Sequence, residues 1–229
     1  MPGQTTEKTS MKKTTTAAML LLASLQMPAQ TTMRDLWLAL PDSVVPYLNG
    51  SQRTEHADFI DMGVASEVKN LLDGEGRMDT LTARYAAIRL NDNHTLQMRL
   101  LTKSDSSQVV CLVDTYRAPE PESTISFYDT QWQRLDASFG LPDLHSLVSD
   151  TGQTERFFAR TDTLSQTEAA ELRRLIDPVM VSVSLPEDEE SVILQLSTPF
   201  LLQDEKERLK GVLMQTKFKW EGDLFKECK

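Results

Sequence analysis

The stretch Leu96-Gln97-Met98-Arg99-Leu100, followed by the polar turn Lys103–Ser107 and by Val109-Val110-Cys111-Leu112-Val113, decides the fold. Leu96, Met98 and Leu100 alternate with Gln97 and Arg99, the period-two signature of a strand with one buried face. Val109–Val113 is continuously apolar, as in a central strand buried on both faces. Their short connection excludes a parallel crossover, so the two pair antiparallel.

Working outward, Ala118-Pro119-Glu120-Pro121 leads into Thr124–Tyr128, another predicted strand. On the other side Leu81, Ala83, Tyr85 and Ala87 alternate ahead of the turn Asn91-Asp92-Asn93. Further upstream, Ala57, Ile60, Val64, Val68 and Leu71 step by three and four. That spacing predicts an amphipathic helix over 51–72, interrupted near Gly63 and stopped by Asp73–Gly76. Met33–Leu40 predicts two helical turns ended by Pro41. Downstream, 132–163 is weakly patterned, with a short helix at Leu144–Val148 and a strand near Arg156–Arg160. Ser165-Gln166-Thr167-Glu168 is a capping box opening a helix through Leu172, Leu175 and Ile176. Val179–Val183 and Val192–Leu196 read as strands around the acidic turn Pro186–Glu190, 203–214 as a charged helix, and Phe218 with Trp220 as a last strand. Leu172, Leu175, Ile176, Val181 and Val183 share their spacing with Leu209, Val212, Leu213, Phe218 and Trp220. This echo fits either a duplicated helix–strand unit or generic patterning. The whole reads as an α+β fold: an antiparallel sheet of about six to eight strands with helices packed mainly on one face.

The N-terminal region gives the organisation. Met11 is followed by Lys12 and Lys13, the apolar run Ala17–Ala23, and then Gln26-Met27-Pro28-Ala29-Gln30. Basic, apolar and small-residue segments in that order read as a signal peptide over 11–30, cleaved near Ala29 or Gln30. Residues 1–10 read as an upstream start-site extension. Residues 31–229 read as a single α+β domain, divisible at about 130 into halves 31–130 and 131–229. The protein is therefore expected to be exported, to the periplasm or the exterior. The apolar run is far shorter than the roughly 20 residues of a spanning helix, so no membrane span is expected.

The formal charge is −10. Loss of Lys8, Lys12, Lys13 and Glu7 removes three positive charges and one negative, leaving −12. Such an acidic chain is repelled by nucleic acid and anionic membranes. In an oxidising compartment Cys111 and Cys228 are candidates for a disulfide; the alternative for Cys111, inside an apolar strand, is a small buried hydrophobe.

Chemistry-bearing motifs are sparse. Asp150-Thr151-Gly152 is the tripeptide of aspartic proteases, but that reaction needs two such loops, and a plain Asp/Gly turn explains one. His56, His94 and His145 lack metal-binding spacing and read as solvated or capping residues. Asp58 and Asp61 share a helix face, either as paired acids or as ordinary surface. Trp37, Trp132, Trp220, Phe157 and Phe158 line a groove or fill the core. Serine-hydrolase elbows, phosphate loops and calcium loops are absent from the sequence. No catalytic residue, metal ligand or cofactor motif is assigned.

Arg34-Asp35-Leu36, Leu40-Pro41-Asp42-Ser43-Val44-Val45-Pro46-Tyr47-Leu48, Asp58-Phe59-Ile60-Asp61, Ser126-Phe127-Tyr128 with Trp132, and Lys219-Trp220 carry a resemblance. In that order they resemble the exported Bacteroidales proteins grouped as domain-of-unknown-function family 3256. The resemblance runs through most of the chain and implies export but no activity. Asp42-Ser43-Val44, Asp79-Thr80-Leu81 and Asp162-Thr163-Leu164 are similar to the O-glycosylation acceptor of that bacterial group, which makes Ser43, Thr80 and Thr163 candidate attachment sites.

The function expected from this reading is a non-catalytic periplasmic binding or interaction protein that engages an envelope protein, its oligomeric state open. The alternatives are a carboxylate-dependent hydrolase and a carrier of a small apolar ligand. A flat apolar patch favours the binder, a cleft with two close buried carboxylates the hydrolase, and a dry cavity the carrier.

Overall fold

The computed structural model describes Gly3 and residues 30–72, 74–117, 119–149, 156–158, 166–176, 179–198 and 201–228. Seven strands form an antiparallel meander in chain order: β1 (Ser66–Lys69), β2 (Glu75–Leu81), β3 (Tyr85–Asn91), β4 (His94–Thr102), β5 (Gln108–Arg117), β6 (Pro121–Tyr128) and β7 (Arg134–Leu135). A second antiparallel sheet holds β8 (Met180–Ser184), β9 (Ser191–Ser197), β10 (Thr216–Trp220) and β11 (Phe225–Glu227), in the order β11-β10-β9-β8. The helices are α1 (Met33–Leu38), α2 (Gly50–Asp61), α3 (Leu144–Ser149), α4 (Gln166–Arg174) and α5 (Gln203–Lys210). The fold is thus α+β and antiparallel, as the alternation predicts.

β5 sits between two cores, which is why its centre is apolar on both faces. Val110 and Leu112 face α1 and α2 with Met98, Leu96, Ile88, Leu36 and Trp37. Val109, Cys111 and Val113 face the second sheet with Val181, Leu194, Phe218 and Trp220. Each such side chain removed from water contributes about 1.5–3 kcal/mol. Leu147 of α3, Leu172 of α4 and Leu209 of α5 belong to this second core. Polar bridges join the sheets at its rim: Trp220 Nε1 donates to the Thr102 carbonyl at 2.8 Å, and the Arg99 guanidinium donates to the Pro186 carbonyl.

Three boundaries differ from the sequence reading. The predicted helix over 51–72 ends at Asp61; Gly63 has φ +68°, a left-handed conformation that stops it, and Ser66–Lys69 become β1. The alternating run Leu81–Ala87 spans a hairpin, where Thr82 N–H donates to the Tyr85 carbonyl at 2.8 Å, so β2 and β3 are separate strands. Near Arg156 the described residues form a short 3₁₀ segment at 156–157 and an isolated bridge, Phe158 to Leu213. The second sheet itself was not distinguished from the first in the pattern, because both alternate with the same period. β8 and β10, which follow α4 and α5, both border β9.

In a meander, alternate turns lie at the same end. The turns β1–β2, β3–β4 and β5–β6 therefore share one end of the large sheet. Arg117 N–H donates to the Asn93 carbonyl there at 2.8 Å, and Leu71 N–H to the Tyr47 carbonyl at 2.9 Å. No helix among the described residues is long and apolar enough to cross a membrane.

Candidate functional site

Toward this end both faces of β5 turn polar. On the helix side, in register with the apolar series Leu96, Met98 and Leu100, His94 opens β4 and lies opposite Tyr116 of β5. The imidazole is almost fully buried, although the sequence reading makes it a solvated turn residue. Both ring nitrogens are engaged: the Tyr47 hydroxyl meets Nδ1, and Nε2 meets the Asp114 carboxylate. Burial, with Tyr116 and Asp114 close by, pushes the Tyr47 phenol well above its usual range, so it keeps its proton and donates. Tyr116 stacks on His94 with ring centroids 4.0 Å apart and planes at 21°. Burial and then Asp114 raise the Tyr116 phenol as well. Tyr116 is nevertheless 54% exposed, and Leu71 and Leu72, beside Tyr47 on the β1–β2 turn, are exposed too. The arrangement is an exposed aromatic ring stacked on a buried imidazole that a Tyr–His–Asp chain holds in place.

The other buried histidine lies elsewhere. His56 of α2 is fully buried against β2, which corrects its reading as a surface residue. Ser66 Oγ donates to the His56 carbonyl at 3.1 Å, so the 2.7 Å contact with Nδ1 is an N–H donation from the ring. That leaves Nε2 as a bare acceptor with no partner. A Cβ at Gly76 would come within 3.4 Å of it, so the glycine gives the ring its space. Desolvation pushes the His56 imidazole down to about 4, against an opposing hydrogen bond at Ser66. His145 is exposed on α3.

The remaining candidates separate. Asp58 and Asp61 do share a face, and both are held by Arg34 of α1, at 3.2 and 2.8 Å. Trp37, Trp132, Trp220 and Phe157 are core residues. In the acidic turn, Glu189 pairs with Lys217 at 2.5 Å and Glu190 with Arg84 at 2.6 Å. Cys111 is a buried free thiol and Cys228 an exposed one; burial pushes the Cys111 thiol up to about 12. Ser43 is exposed, whereas Thr80 is half-buried in β2 with its hydroxyl 3.5 Å from Glu187. Thr163, Asp150-Thr151-Gly152 and residues 11–29 of the signal peptide expected over 11–30 lie outside the described residues. Among the described residues no group of three or more His, Cys, Asp or Glu side chains converges as a metal site.

The profile of the family described as "Protein of unknown function (DUF3256)" matches residues 24–225. The chain belongs to this family. Among solved structures, it is similar to a domain of an uncharacterized protein from Porphyromonas gingivalis W83, with a TM-score of 0.66 and 23% identity. That match covers 85% of this chain and 96% of the other. At that identity the likeness shows the fold alone. No curated protein matches the chain.

Within this DUF3256 protein, two signals in the sequence mark the buried histidines, of which only His94 belongs to the site. His94 is in phase with Leu96, Met98 and Leu100, so alternation places it on the buried face. Arg53, His56, Ala57 and Ile60 follow the helical three-four step, so His56 shares a stripe with Ala57 despite its acidic neighbours.

Proposed function

We propose that the protein is an exported, non-catalytic binding protein of the envelope, which engages a protein partner through the end of the large sheet that carries Tyr116. The observation that carries this reading is the fixed, exposed Tyr116 ring stacked on His94, at the sheet end that also bears the exposed Leu71 and Leu72. Rigid aromatic anchors that present an apolar body and a polar tip dominate protein-recognition energetics, because little side-chain freedom is lost on binding. The catalytic alternative finds less support. The Tyr47 phenol holds its proton, so the Tyr–His–Asp chain supplies no phenolate nucleophile. Asp58 and Asp61 are exposed, and both pair with the single guanidinium of Arg34. A groove of about 400 Å³ beside β6 and α3 contains Asp136 and Asp143, and both are exposed rather than buried together.

The test is site-specific photocrosslinking on the native envelope, with the probe at position 72 and, as control, at Glu55 on the exposed side of α2. One partner captured reproducibly from position 72, absent from position 55 and lost with Tyr116→Ala, supports the reading. No capture, or the same products from both positions, contradicts it.

A further inference from the structure

The opposite face of the same strand ends carries a second, independent feature. Where the second sheet abuts the large one, the large sheet's inner face, which carries Leu101, Val109, Val113 and Phe127 together with Gln97 and Arg99, turns polar and basic at its turn-bearing end. Arg89 of β3 lies opposite Thr95 of β4, Thr95 opposite Thr115 of β5, and Arg117 follows two residues on along the same face. The second sheet meets them with Ser184 of β8 and Gln195 of β9, on the face opposite its core-facing Val183 and Leu194, and a cleft of about 320 Å³ lies between these groups.

Its inner boundary is rigid. Gln97 closes it by accepting from Leu185 N–H at 3.1 Å and donating to the Leu185 carbonyl at 3.3 Å. Ser123 joins Thr115 at 2.7 Å and accepts from Val183 N–H at 2.9 Å, which ties β5, β6 and β8 together. The positive charge is incompletely answered. Asp79 faces Arg89 at 3.7 Å but is shared with Arg77 at 3.1 Å. Among the described residues no ion pair is formed by the Arg117 guanidinium. In a chain of charge −10, two guanidiniums against the one carboxylate that lines the cleft, Asp79, with hydroxyls and an amide across from them, form a local site for an oxyanion.

We propose that this cleft binds an acidic saccharide, its carboxylate, phosphate or sulfate group taken by Arg89 and Arg117 and its hydroxyls by Thr95, Ser184 and Gln195. A fork of N–H donors suits a planar or tetrahedral oxyanion, while hydroxyl and amide side chains both give and accept the hydrogen bonds that sugar alcohols need. The volume lies at the lower end of small-molecule sites, which suits one or two sugar rings.

Isothermal titration of the mature full-length protein with galacturonate, glucose 6-phosphate, glucose and inorganic phosphate tests this. The expected result is binding of galacturonate or glucose 6-phosphate, weakened by salt, with glucose and inorganic phosphate each at least about tenfold weaker. Whichever acidic sugar binds identifies the oxyanion. Arg117→Gln and Arg89→Gln each lower that affinity about tenfold or more. Arg34→Gln, which removes the same charge from α1, leaves it unchanged. Circular dichroism confirms that each variant is folded. The proposal is overturned if neither acidic sugar binds at about 5 mM, if inorganic phosphate binds as tightly as the sugars, or if the arginine variants match Arg34→Gln.

Discussion

His56 and His94 are both buried, but their surroundings give them different roles. His56 lies under α2 with one hydrogen bond, a bare Nε2 and a glycine opposite, so the site tolerates only the neutral ring. His94 has both nitrogens satisfied and carries an exposed tyrosine on its face. Burial alone therefore does not mark a functional histidine. What separates the two is a complete polar chain that ends at the surface, against an incomplete one that ends in packing. The first fixes the exposed Tyr116 ring; the second makes stability depend on pH.

The largest effect expected from this contrast is on pH-dependent stability. The His56 imidazole is lowered from 6.5 to about 4 in the folded protein, so the unfolded chain binds more protons between those values. The stability due to neutral His56 is fully present above about pH 6.5 and is lost as the pH falls toward 4. The loss is on the order of 3 kcal/mol. His56→Leu keeps the apolar contacts and the Ser66 bond to the backbone, so urea unfolding should show its stability gaining on wild type by that amount from pH 7 to 4. Parallel curves would remove the distinction between the histidines.

Next in size is Tyr47→Phe. It leaves Nδ1 of His94 without a donor in a buried position and should cost about 1–3 kcal/mol in urea unfolding at pH 7. An unchanged midpoint would mean that the chain to Asp114 does not hold the ring. Smaller again, Tyr116→Ala should change stability by no more than about 1 kcal/mol, since the ring is half exposed, while it abolishes partner capture. The smallest effect is expected for Arg34→Gln. Its ion pairs with Asp58 and Asp61 are solvent-exposed and should contribute about 0–1 kcal/mol, measurable as a small shift of the urea midpoint that shrinks with added salt.

Much of the large sheet was legible because its strands alternate cleanly. β4 and the apolar centre of β5 follow from Leu96–Val113 alone, and α1 from the run that stops at Pro41. Periodicity failed where two explanations share one spacing. Val64, Val68 and Leu71 step like a helix but lie beyond Gly63, whose left-handed backbone had already ended α2. Leu81 to Ala87 alternates straight through a hairpin because Thr82 and Tyr85 close it with hydrogen bonds rather than with a Gly/Asn turn. The site was partly legible in principle. The phase of His94 and His56 gives their burial, but no sequence spacing brings Tyr47 to His94 or Asp114 across the sheet, since those contacts depend on register and on the path of the 41–49 segment.

The claim that the Tyr116 end of the large sheet is the recognition surface is tested most directly by the affinity of the purified, crosslink-identified partner for Tyr116→Ala and His56→Leu at pH 7. The account predicts that Tyr116→Ala weakens binding by at least about tenfold with the fold intact, while His56→Leu binds like wild type. Equal affinity for both variants and wild type would contradict it.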